Sequence, residues 1–354
     1  MINTERVEKY KISVVIATYN RSKYIPTLLE CLAYQTLDPS YFEVIVVDDG
    51  STDNTEEVVR SLRENLLFKL RYIKHPNRGP GYTQNCGIQA ASAPIVCLIA
   101  DDIQLAPGAL KAHVEGHEIH SESNIAILGK VLQSPELAKH SVFLAKWDPF
   151  KFRELEKMRE LPYYLFWACN ISFKKDFLLE NGLFRDKMGI AGAAAHEDVE
   201  LGYRLSKKGL RILFNKEALG YHYHIETLNG AIQRSYQRGL NWIEFREMVN
   251  EPDITVRYHV LNYHYLKDYI NAFRKPDNLI GLDSNPLLLT VCQLMRILSF
   301  NFVTIPLFWL PIMKRAENSL LLSRFMHRLL YRCVISHYFH KGVAHGSKKQ
   351  PKKK

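Results

Sequence analysis

Residues 12–21 read Ile-Ser-Val-Val-Ile-Ala-Thr-Tyr-Asn-Arg, a short β-branched apolar run that ends abruptly in polar side chains. Such a run predicts a strand that is buried on both faces. A second run of the same kind, at residues 42–47, continues into Asp48-Asp49-Gly50-Ser51. Between the two strands, residues 25–33 repeat their apolar positions at helical spacing. The first fifty residues therefore predict a strand–helix–strand unit.

The alternation continues along the next fifty residues. It predicts helices that begin near Asp53 and Gly81, and strands at residues 70–74 and 94–100. Repeats of this length imply right-handed crossovers and a mostly parallel α/β sheet with helices on both faces. Ligands of such sheets bind at the carboxyl ends of the strands. The polar segments that follow the four strands are 18–21, 48–51, 75–78 and 101–102.

Composition and charge limit the class of protein. The chain has 354 residues, of which 47% are apolar and 24% charged, so it is neither disordered as a whole nor a polytopic membrane protein. The net charge of +10 lies in the last hundred residues, and the rest is nearly balanced, which excludes a nucleic-acid-binding surface along the whole chain. Six cysteines without a CxxC pair and a polar start without a signal-peptide core predict a cytoplasmic protein.

Two adjacent acid pairs follow predicted strands. Asp101-Asp102 suits a hard divalent cation, Mn²⁺ or Mg²⁺, bound together with a substrate phosphate, and the alternative is a solvated turn that caps the next helix. Asp48-Asp49 suits hydrogen bonds from a nucleobase or ribose, and the alternative is again helix capping, which Asp53 partly serves.

Further polar candidates lie downstream. Glu197-Asp198 opens a predicted helix after a Gly/Ala-rich loop at 189–195; the loop suggests close approach to a ligand, whereas the helix dipole alone would favour acids there. His222 and His224 lie on a predicted strand and are expected to point to opposite faces, so that at most one joins a metal site. Placement in the core or on the surface is the alternative for both histidines.

These segments together, in this order, resemble the inverting family 2 glycosyltransferases with the GT-A fold, over residues 11–225. The segments that carry the resemblance are 14–21, 46–53, 77–87, 101–102, 170–173, 182–184 and 196–205. The resemblance implies a Rossmann-like GT-A nucleotide-diphospho-sugar transferase fold, followed here by a mainly helical C-terminal extension.

The resemblance also implies a role for each matching residue. Asp198 would be the general base, with Glu197 as the second candidate. Asp102 would ligate the metal, with Asp101 beside it and with His222 or His224 completing the set. The residues implied to bind the nucleotide sugar are Ala17, Thr18, Tyr19, Arg21, Asp48, Asp49, Arg78, Asn85 and Asp101.

Two departures from the family pattern bear on the site. Ile99 stands where many members have the leading Asp of the metal motif, which leaves two acids. The third helix reads Thr83-Gln84-Asn85 where a phosphate-facing Arg is frequent, and Arg78 is the proposed substitute.

The C-terminal hundred residues suggest a membrane surface. Residues 297–313 carry no charge, and three interpretations stay open: a buried pair of core helices, a segment lying in the membrane interface, and a membrane-spanning helix. The Lys-rich end adds attraction to anionic lipid. The predicted division is 1–227 for the glycosyltransferase domain (11–130 for the donor, 131–227 for acceptor and catalysis), 228–340 for a helical region, and 341–354 for a flexible basic tail.

The predicted function is hexosyl transfer from a nucleotide-diphosphate sugar to a glycan or lipid-linked acceptor hydroxyl. The metal would stabilise the leaving diphosphate, and attack from the opposite face would invert the anomeric centre. The protein is expected at the inner face of the cell membrane, bound peripherally, with no nucleic acid partner. The alternatives are a sugar-1-phosphate nucleotidyltransferase and a non-catalytic, membrane-associated nucleotide-sugar-binding protein.

Overall fold

The described part of the chain divides into two compact units. The computed structural model describes residues 10–141, 143–144, 155–186, 188, 196–249, 251, 303–317, 319 and 328–349. The first unit lies within Met1–Leu132, Phe152–Lys187 and Glu197–His224, and the second within Gln133–Lys151, Met188–His196 and Ile225–Lys354. The described residues 133–141, 143–144, 188 and 196 fall within the ranges of the second unit. The division at residue 227 stays a prediction.

The first unit is built on a mixed sheet, which has eight strands among the described residues, in the order β3-β2-β1-β4-β7-β6-β8-β5. The strands are β1 (Ile12–Thr18), β2 (Phe42–Asp48), β3 (Lys69–Lys74), β4 (Ile95–Ile99), β5 (Ile103–Leu105), β6 (Ile125–Gln133), β7 (Asn170–Lys174) and β8 (Arg211–His222). Strands β1 to β4 pair in parallel, whereas β7 is antiparallel to β4 and β6, and β5 is antiparallel to β8. The predicted α/β class is confirmed.

Helices flank this sheet. They are α1 (Ile25–Ala33), α2 (Thr55–Leu62), α3 (Pro80–Ala90), α4 (Ala109–Ile119), α6 (Lys175–Asn181) and α7 (Glu197–Ser206), while α5 (Pro135–His140) belongs to the second unit. Helix α3 packs close to β1 because Gly87 has no side chain: a Cβ there would lie 2.2 Å from Val15 Cγ1. Helix α7 ends at Ser206, the chain reverses at Gly209, whose φ of +89° permits the turn, and Leu210 N donates back to Leu205 O.

Two local predictions need correction, and a third concerns residues that the structure does not describe. The sequence at 210–214 and at 218–223 predicts two short strands, separated by the polar residues 215–217. In the structure they are one strand, β8, because residues 215–217 continue the extended backbone. The helix after Asp53 has Asn54 at its N-cap, and Asp53 instead accepts hydrogen bonds from the Thr55 backbone and hydroxyl. The Gly/Ala-rich loop at 189–195 lies outside the described residues.

A buried polar network fixes β7 against α4. The imidazole of His113 lies 2.8 Å from Ser172 Oγ and 3.0 Å from Asn170 Oδ1, and His117 Nε2 lies 3.0 Å from the same hydroxyl. Asn170 Nδ2 also donates to Ala218 O on β8. Burial lowers the pKa of His113 to about 4 and that of His117 to about 3, so both are neutral at pH 7.

The described part of the second unit is helical. Its helices are α5, α8 (Leu228–Leu240), α9 (Trp242–Met248), α10 (Leu310–Glu317) and α11 (Arg328–Lys349), with a π-helical turn at Ile305–Trp309. Its core includes Phe143, Ile305, Met313 and Tyr331. Helices α8 and α11 meet at glycines, since a Cβ on Gly342 would lie 2.1 Å from Tyr236 O.

The C-terminal predictions meet the structure only in part. Helix α11 continues through residues 341–349, where a flexible tail was expected, and residues 350–354 lie outside the described ranges. Residues 297–302 of the uncharged segment are also outside them. None of the helices in the described ranges has the length and apolar character that crossing a bilayer requires.

Candidate active site

The first acid pair ends β2 and organises its own loops. Asp48 is fully buried, accepts a hydrogen bond from Ser51 N at 2.7 Å, and is the acceptor for the Tyr72 hydroxyl. Asp49 accepts from Arg78 N at 2.7 Å and from Gly79 N at 3.0 Å. These bonds fasten the loop after β3 to the end of β2, and Gly50 at φ +78° allows the intervening turn.

The loop after β1 joins the two acid pairs. Thr18 O accepts from Asp49 N at 2.9 Å, and Thr18 Oγ1 donates to Asp101 Oδ2 at 2.8 Å. Asn20 takes a φ of +53°, and its side-chain oxygen accepts from Thr52 N at 2.8 Å. The residues predicted from three strand ends thus lie along one edge of the sheet, as expected from its parallel pairing.

The second acid pair faces positively charged and titratable groups. Arg21 approaches both acids, with Nε 3.9 Å from Asp101 Oδ1 and Nη2 3.7 Å from Asp102 Oδ2. Burial, followed by the charge of Asp102, raises the pKa of Asp101 to about 6, while Arg21 and Thr18 act in the opposite direction. The two carboxylates are therefore an electrostatically costly pair that a nearby cation stabilises.

Both histidines lie beside Asp102, and the expectation that they point to opposite faces is wrong. His222 Nε2 is 3.7 Å from Asp102 Oδ1, and His224 Nδ1 is 3.7 Å from Asp102 Oδ2. Residues two apart on an extended chain share a face, which is the physical reason. The pairing of β5 with β8 places Ile103 opposite His222 and brings the segment next to the acids.

Asp198 converges on the same place through Cys169. The thiol of Cys169 has a raised pKa, first because of burial and then because of the negative charges of Asp198 and Asp102. Cys169 O accepts from Ala100 N at 3.1 Å, so this residue lies alongside the strand end that carries the acid pair. The negative charges of Asp102 and of Asp198, in the first turn of α7, therefore both act on the thiol of Cys169.

A cavity of about 110 Å³ opens beside the second acid pair. It is lined by Tyr24, Thr27, Leu28, Asp101, Asp102, Gln104 and Tyr223. Sequence reasoning missed Cys169, Tyr24 and Tyr223. Only the position of Cys169, directly before the segment 170–173, was a signal that could have pointed to it.

The other candidates take different positions. Tyr19 is 46% exposed and Ala17, beside it in sequence, is half-buried. Arg78 stacks on the Tyr82 ring at 3.7 Å and pairs with Asp186 at 3.3 Å.

Asn85 is buried, and both ends of its amide bind the backbone of Phe184, at 2.8 and 3.0 Å. That geometry fits an anchor for the loop at 182–186.

The donor set suits a divalent cation. The imidazoles of His222 and His224 lie beside the carboxylate of Asp102. Carboxylate oxygens are the ligands that Mg²⁺ and Mn²⁺ prefer. Within the described ranges, no three His, Cys, Asp or Glu side chains are arranged ready to hold an ion. Arg21 lies among these groups and supplies positive charge there. The residues present fit a metal by their chemistry.

Comparison with protein families places the domain. Residues 13–180 match the family model described as glycosyl transferase family 2. The chain carries a family 2 glycosyltransferase domain. The resemblance drawn from the strand-end motifs is confirmed, and the acid pairs, the edge of the sheet and β7 all lie within or next to the matched segment of this glycosyltransferase domain.

Curated relatives of the glycosyltransferase domain are longer proteins. The chain is 30% identical over 233 residues to validoxylamine A glucosyltransferase of Streptomyces hygroscopicus subsp. limoneus, which covers 59% of this chain and 51% of the relative. It is 28% identical over 243 residues to chondroitin synthase of Escherichia coli, covering 60% of this chain and 34% of the relative. The chain spans about half or less of the length of these two relatives.

Solved structures share the fold. A mannosyltransferase of Pyrobaculum calidifontis, in complex with GDP-Man and Mn²⁺, superposes with a TM-score of 0.56 at 16% identity, covering 96% of this chain and 88% of that one. Residues 1–349 of Staphylococcus aureus TarS, in complex with UDP-GlcNAc, give a TM-score of 0.50 at 18% identity, covering 97% and 93%. The predicted GT-A fold with a helical C-terminal region is confirmed.

Proposed function

We propose that the protein transfers a hexose from a nucleotide-diphosphate sugar to a hydroxyl of a glycan or lipid-linked acceptor, with inversion. The observation that carries the proposal is the convergence of Asp102 and Asp198 on Cys169, next to His222 and His224. The two acids come from a strand end and from a helix start, and the charge of each acts on the same thiol. That is the arrangement a transferase needs for the diphosphate on one side and the acceptor proton on the other.

The donor would lie along the strand ends. Tyr19 offers an exposed ring and Arg78 an exposed guanidinium beside the loop that Asp49 holds. Thr18 and Asp101 lie between that loop and the acid pair. Asp48 and Asn85 would keep their neighbouring loops in place for the donor.

The proposed metal ligands are Asp102, Asp101, His222 and His224. A divalent cation bound there, Mn²⁺ or Mg²⁺, would neutralise the charge that develops on the leaving diphosphate. Asp102 holds the centre of this set, because its two oxygens each approach one imidazole at 3.7 Å. The complex of the Pyrobaculum mannosyltransferase with Mn²⁺ supports a cation in the family.

Asp198 would act as the general base, with Glu197 as the second candidate. Both acids lie in the first turn of α7, where the helix dipole stabilises the ionised carboxylate that must accept the hydroxyl proton. Attack by the deprotonated hydroxyl from the face opposite the diphosphate inverts the anomeric carbon.

The test uses the full chain and a panel of UDP- and GDP-sugars with Mn²⁺. We expect thermal stabilisation by one donor and slow release of its nucleoside diphosphate. Asp198→Asn is expected to stop release while the donor still stabilises the protein. Glu197→Gln is the matched control, and it should keep activity.

If Asp198→Asn loses the thermal stabilisation by the donor as well as the release of nucleoside diphosphate, Asp198 is rejected as the base. Formation of pyrophosphate from a nucleoside triphosphate and a sugar 1-phosphate would indicate a nucleotidyltransferase instead. Donor binding with no turnover under any condition would indicate a non-catalytic binding protein.

The second unit is proposed to contact an anionic membrane at the inner face of the cell membrane. Leu307 is 75% exposed and Phe308 55% exposed on the π-helical turn, and Lys314 and Arg315 are exposed on α10 just after it. Exposed apolar side chains beside cations suit the interface of a bilayer with anionic headgroups. A lipid-linked acceptor would be found at such a surface.

Sedimentation with vesicles tests this contact. The full chain should bind phosphatidylglycerol-containing vesicles more than pure phosphatidylcholine vesicles, and the double variant Leu307→Ser, Phe308→Ser should lose binding. Leu67→Ser is the control, because Leu67 is 87% exposed on the first unit. Equal binding by the double variant and the control would reject this surface.

A further inference from the structure

Arg21 lies between the second acid pair, Asp101-Asp102, and the imidazole of His224. Its Nη1 lies 3.1 Å from His224 Nδ1, while its other nitrogens lie 3.7 and 3.9 Å from the two aspartates. Its guanidinium carbon also lies 5.0 Å from the centre of the Tyr24 ring. One guanidinium therefore contacts two carboxylates, an imidazole and an aromatic ring, all within the first unit.

The contact between Arg21 and His224 occupies the lone pair of His224 Nδ1. A guanidinium has donors only, so the bond to Arg21 requires His224 Nδ1 to be the acceptor. A metal ion binds a histidine through that same kind of unprotonated nitrogen. His224 Nδ1 cannot accept from Arg21 and ligate a cation at once. The carboxylates of Asp101 and Asp102 likewise have oxygens within 4 Å of the positive charge of Arg21.

We propose that Arg21 is a built-in counter-cation that excludes the divalent metal until a diphosphate draws its guanidinium away. This inference rests on the proposed metal-dependent transfer. A planar guanidinium matches two phosphate oxygens at once, so the diphosphate of a donor is a competing partner for it. Metal and donor would then bind cooperatively, because each removes an obstacle to the other.

The experiment measures Mn²⁺ affinity of the full-length protein without nucleotide, by electron paramagnetic resonance of the free ion. Arg21→Ala removes a positive charge close to the proposed ligands, so we expect Mn²⁺ to bind at least about tenfold more tightly than to wild type. Lys23→Ala is the matched control. It removes one charge from the same loop, where Lys23 is exposed and lies over the Tyr24 ring, and its change should be below about twofold.

Two further variants keep the test independent of folding. Arg21→Gln removes the charge but keeps a polar side chain, and Arg21→Lys keeps the charge but not the planar fork. The Mn²⁺ affinity of Arg21→Gln should be higher than that of wild type. The Mn²⁺ affinity of Arg21→Lys should be intermediate between those of wild type and Arg21→Ala. With UDP or GDP present, Mn²⁺ affinity should rise in wild type and change much less in Arg21→Ala.

The outcomes separate this inference from the proposed function. Equal Mn²⁺ affinity in wild type, Arg21→Ala and Lys23→Ala would overturn the role of Arg21 and leave the transfer proposal to its own assay. Weaker Mn²⁺ binding in Arg21→Ala would also overturn it. Absence of Mn²⁺ binding in every variant would overturn both this inference and the metal part of the function.

Discussion

One Asp-Asp pair lies at the end of β2 and the other just after β4 of the same sheet, and the two pairs have different neighbours. The pair at 48–49 accepts hydrogen bonds from Ser51 in its own loop, from Tyr72 on β3, and from Asn77, Arg78 and Gly79 in the loop after β3. His75 Nδ1 also lies 3.6 Å from Asp49 Oδ1, so this pair has one imidazole neighbour in addition to its hydrogen-bond donors. The pair at 101–102 has Thr18 on one oxygen and otherwise faces Arg21, His222 and His224 across gaps of 3.7 to 3.9 Å.

Both pairs have the sequence Asp-Asp, so the role of each carboxylate is decided by the groups around it and not by the adjacent residue in the sequence. Backbone N–H donors around Asp49 satisfy the carboxylate and fix a loop, which is a structural use. Asp102 instead faces two imidazoles and a guanidinium across gaps of 3.7 Å, which is the arrangement we expect of a carboxylate that exchanges partners in its proposed function. Four predictions test the division.

The largest expected effect is the loss of activity in Asp102→Asn. Removal of the carboxylate at the centre of the proposed ligand set should lower turnover about 100- to 1,000-fold. The free energy of unfolding should change by less than about 1 kcal/mol, because the variant also relieves repulsion with Asp101. Donor-release kinetics and urea unfolding measure the two quantities. A variant that is strongly destabilised would show that Asp102 resembles Asp49 in its role.

Helix α7 contains the same division, and Glu200 tests its structural side. Glu200 is 1% exposed, and its Oε1 lies 2.8 Å from both Arg185 Nε and Arg204 Nε. Glu200→Ala leaves these cations without their carboxylate and should lower the free energy of unfolding by about 3 kcal/mol. Urea unfolding measures it, with Glu217→Ala as the exposed control that should change little. A loss of turnover without a loss of stability would place Glu200 with the functional acids.

Asp49→Ala should act on stability before it acts on chemistry. It leaves Arg78 N and Gly79 N without their acceptor, which should cost about 2–3 kcal/mol of unfolding free energy. Asp53→Ala removes acceptors from an exposed loop and should cost less. Unchanged stability combined with lost donor binding would show that Asp49 contacts the nucleobase directly, and the comparison of the two pairs would fail.

The last prediction concerns the pH dependence of stability that the buried histidine network on β7 and α4 produces, about 2 kcal/mol for each histidine. Folding lowers the pKa values of His113 and His117 from 6.5 to about 4 and 3, so their contribution to stability is present above pH 6.5 and is lost as the pH falls toward these values. Between pH 7 and pH 5 each histidine should reduce the free energy of unfolding by about 2 kcal/mol. Urea unfolding at both pH values measures this, and His113→Asn should flatten the dependence. An unchanged slope would place His113 outside the titrating network.

The parallel half of the sheet could be predicted closely. Strands β1, β2 and β4 are apolar runs whose bounds the sequence predicts within one residue, because strands buried on both faces have little room for polar residues. Of the antiparallel half, the sequence predicted only extended backbone in the segment that forms β8. Strand β7 carries buried Asn170 and Ser172, whose side chains bond to His113 and His117 of a distant helix and, for Asn170, also to Ala218 O on β8. A local pattern does not contain such partners.

The roles of the histidines and of Cys169 show the same limit. The resemblance implied that His222 or His224 completes the metal set, but the approach of both to Asp102 depends on the pairing of β5 with β8. Cys169 lies near Asp102 and Asp198 because β7 returns antiparallel to β4. The roles of Asp198, Asp102 and the other site residues stay predictions that the assays above test.

The sequence by itself determined the class of fold, the sheet edge where polar residues gather, and the family, since hydrophobic periodicity and strand-end motifs are local properties of the chain. Only the tertiary structure decided which acids are bound by backbone donors and which face exchangeable cations. Those partners come from segments far apart along the chain, and the energy of a buried carboxylate depends on the groups that surround it in space.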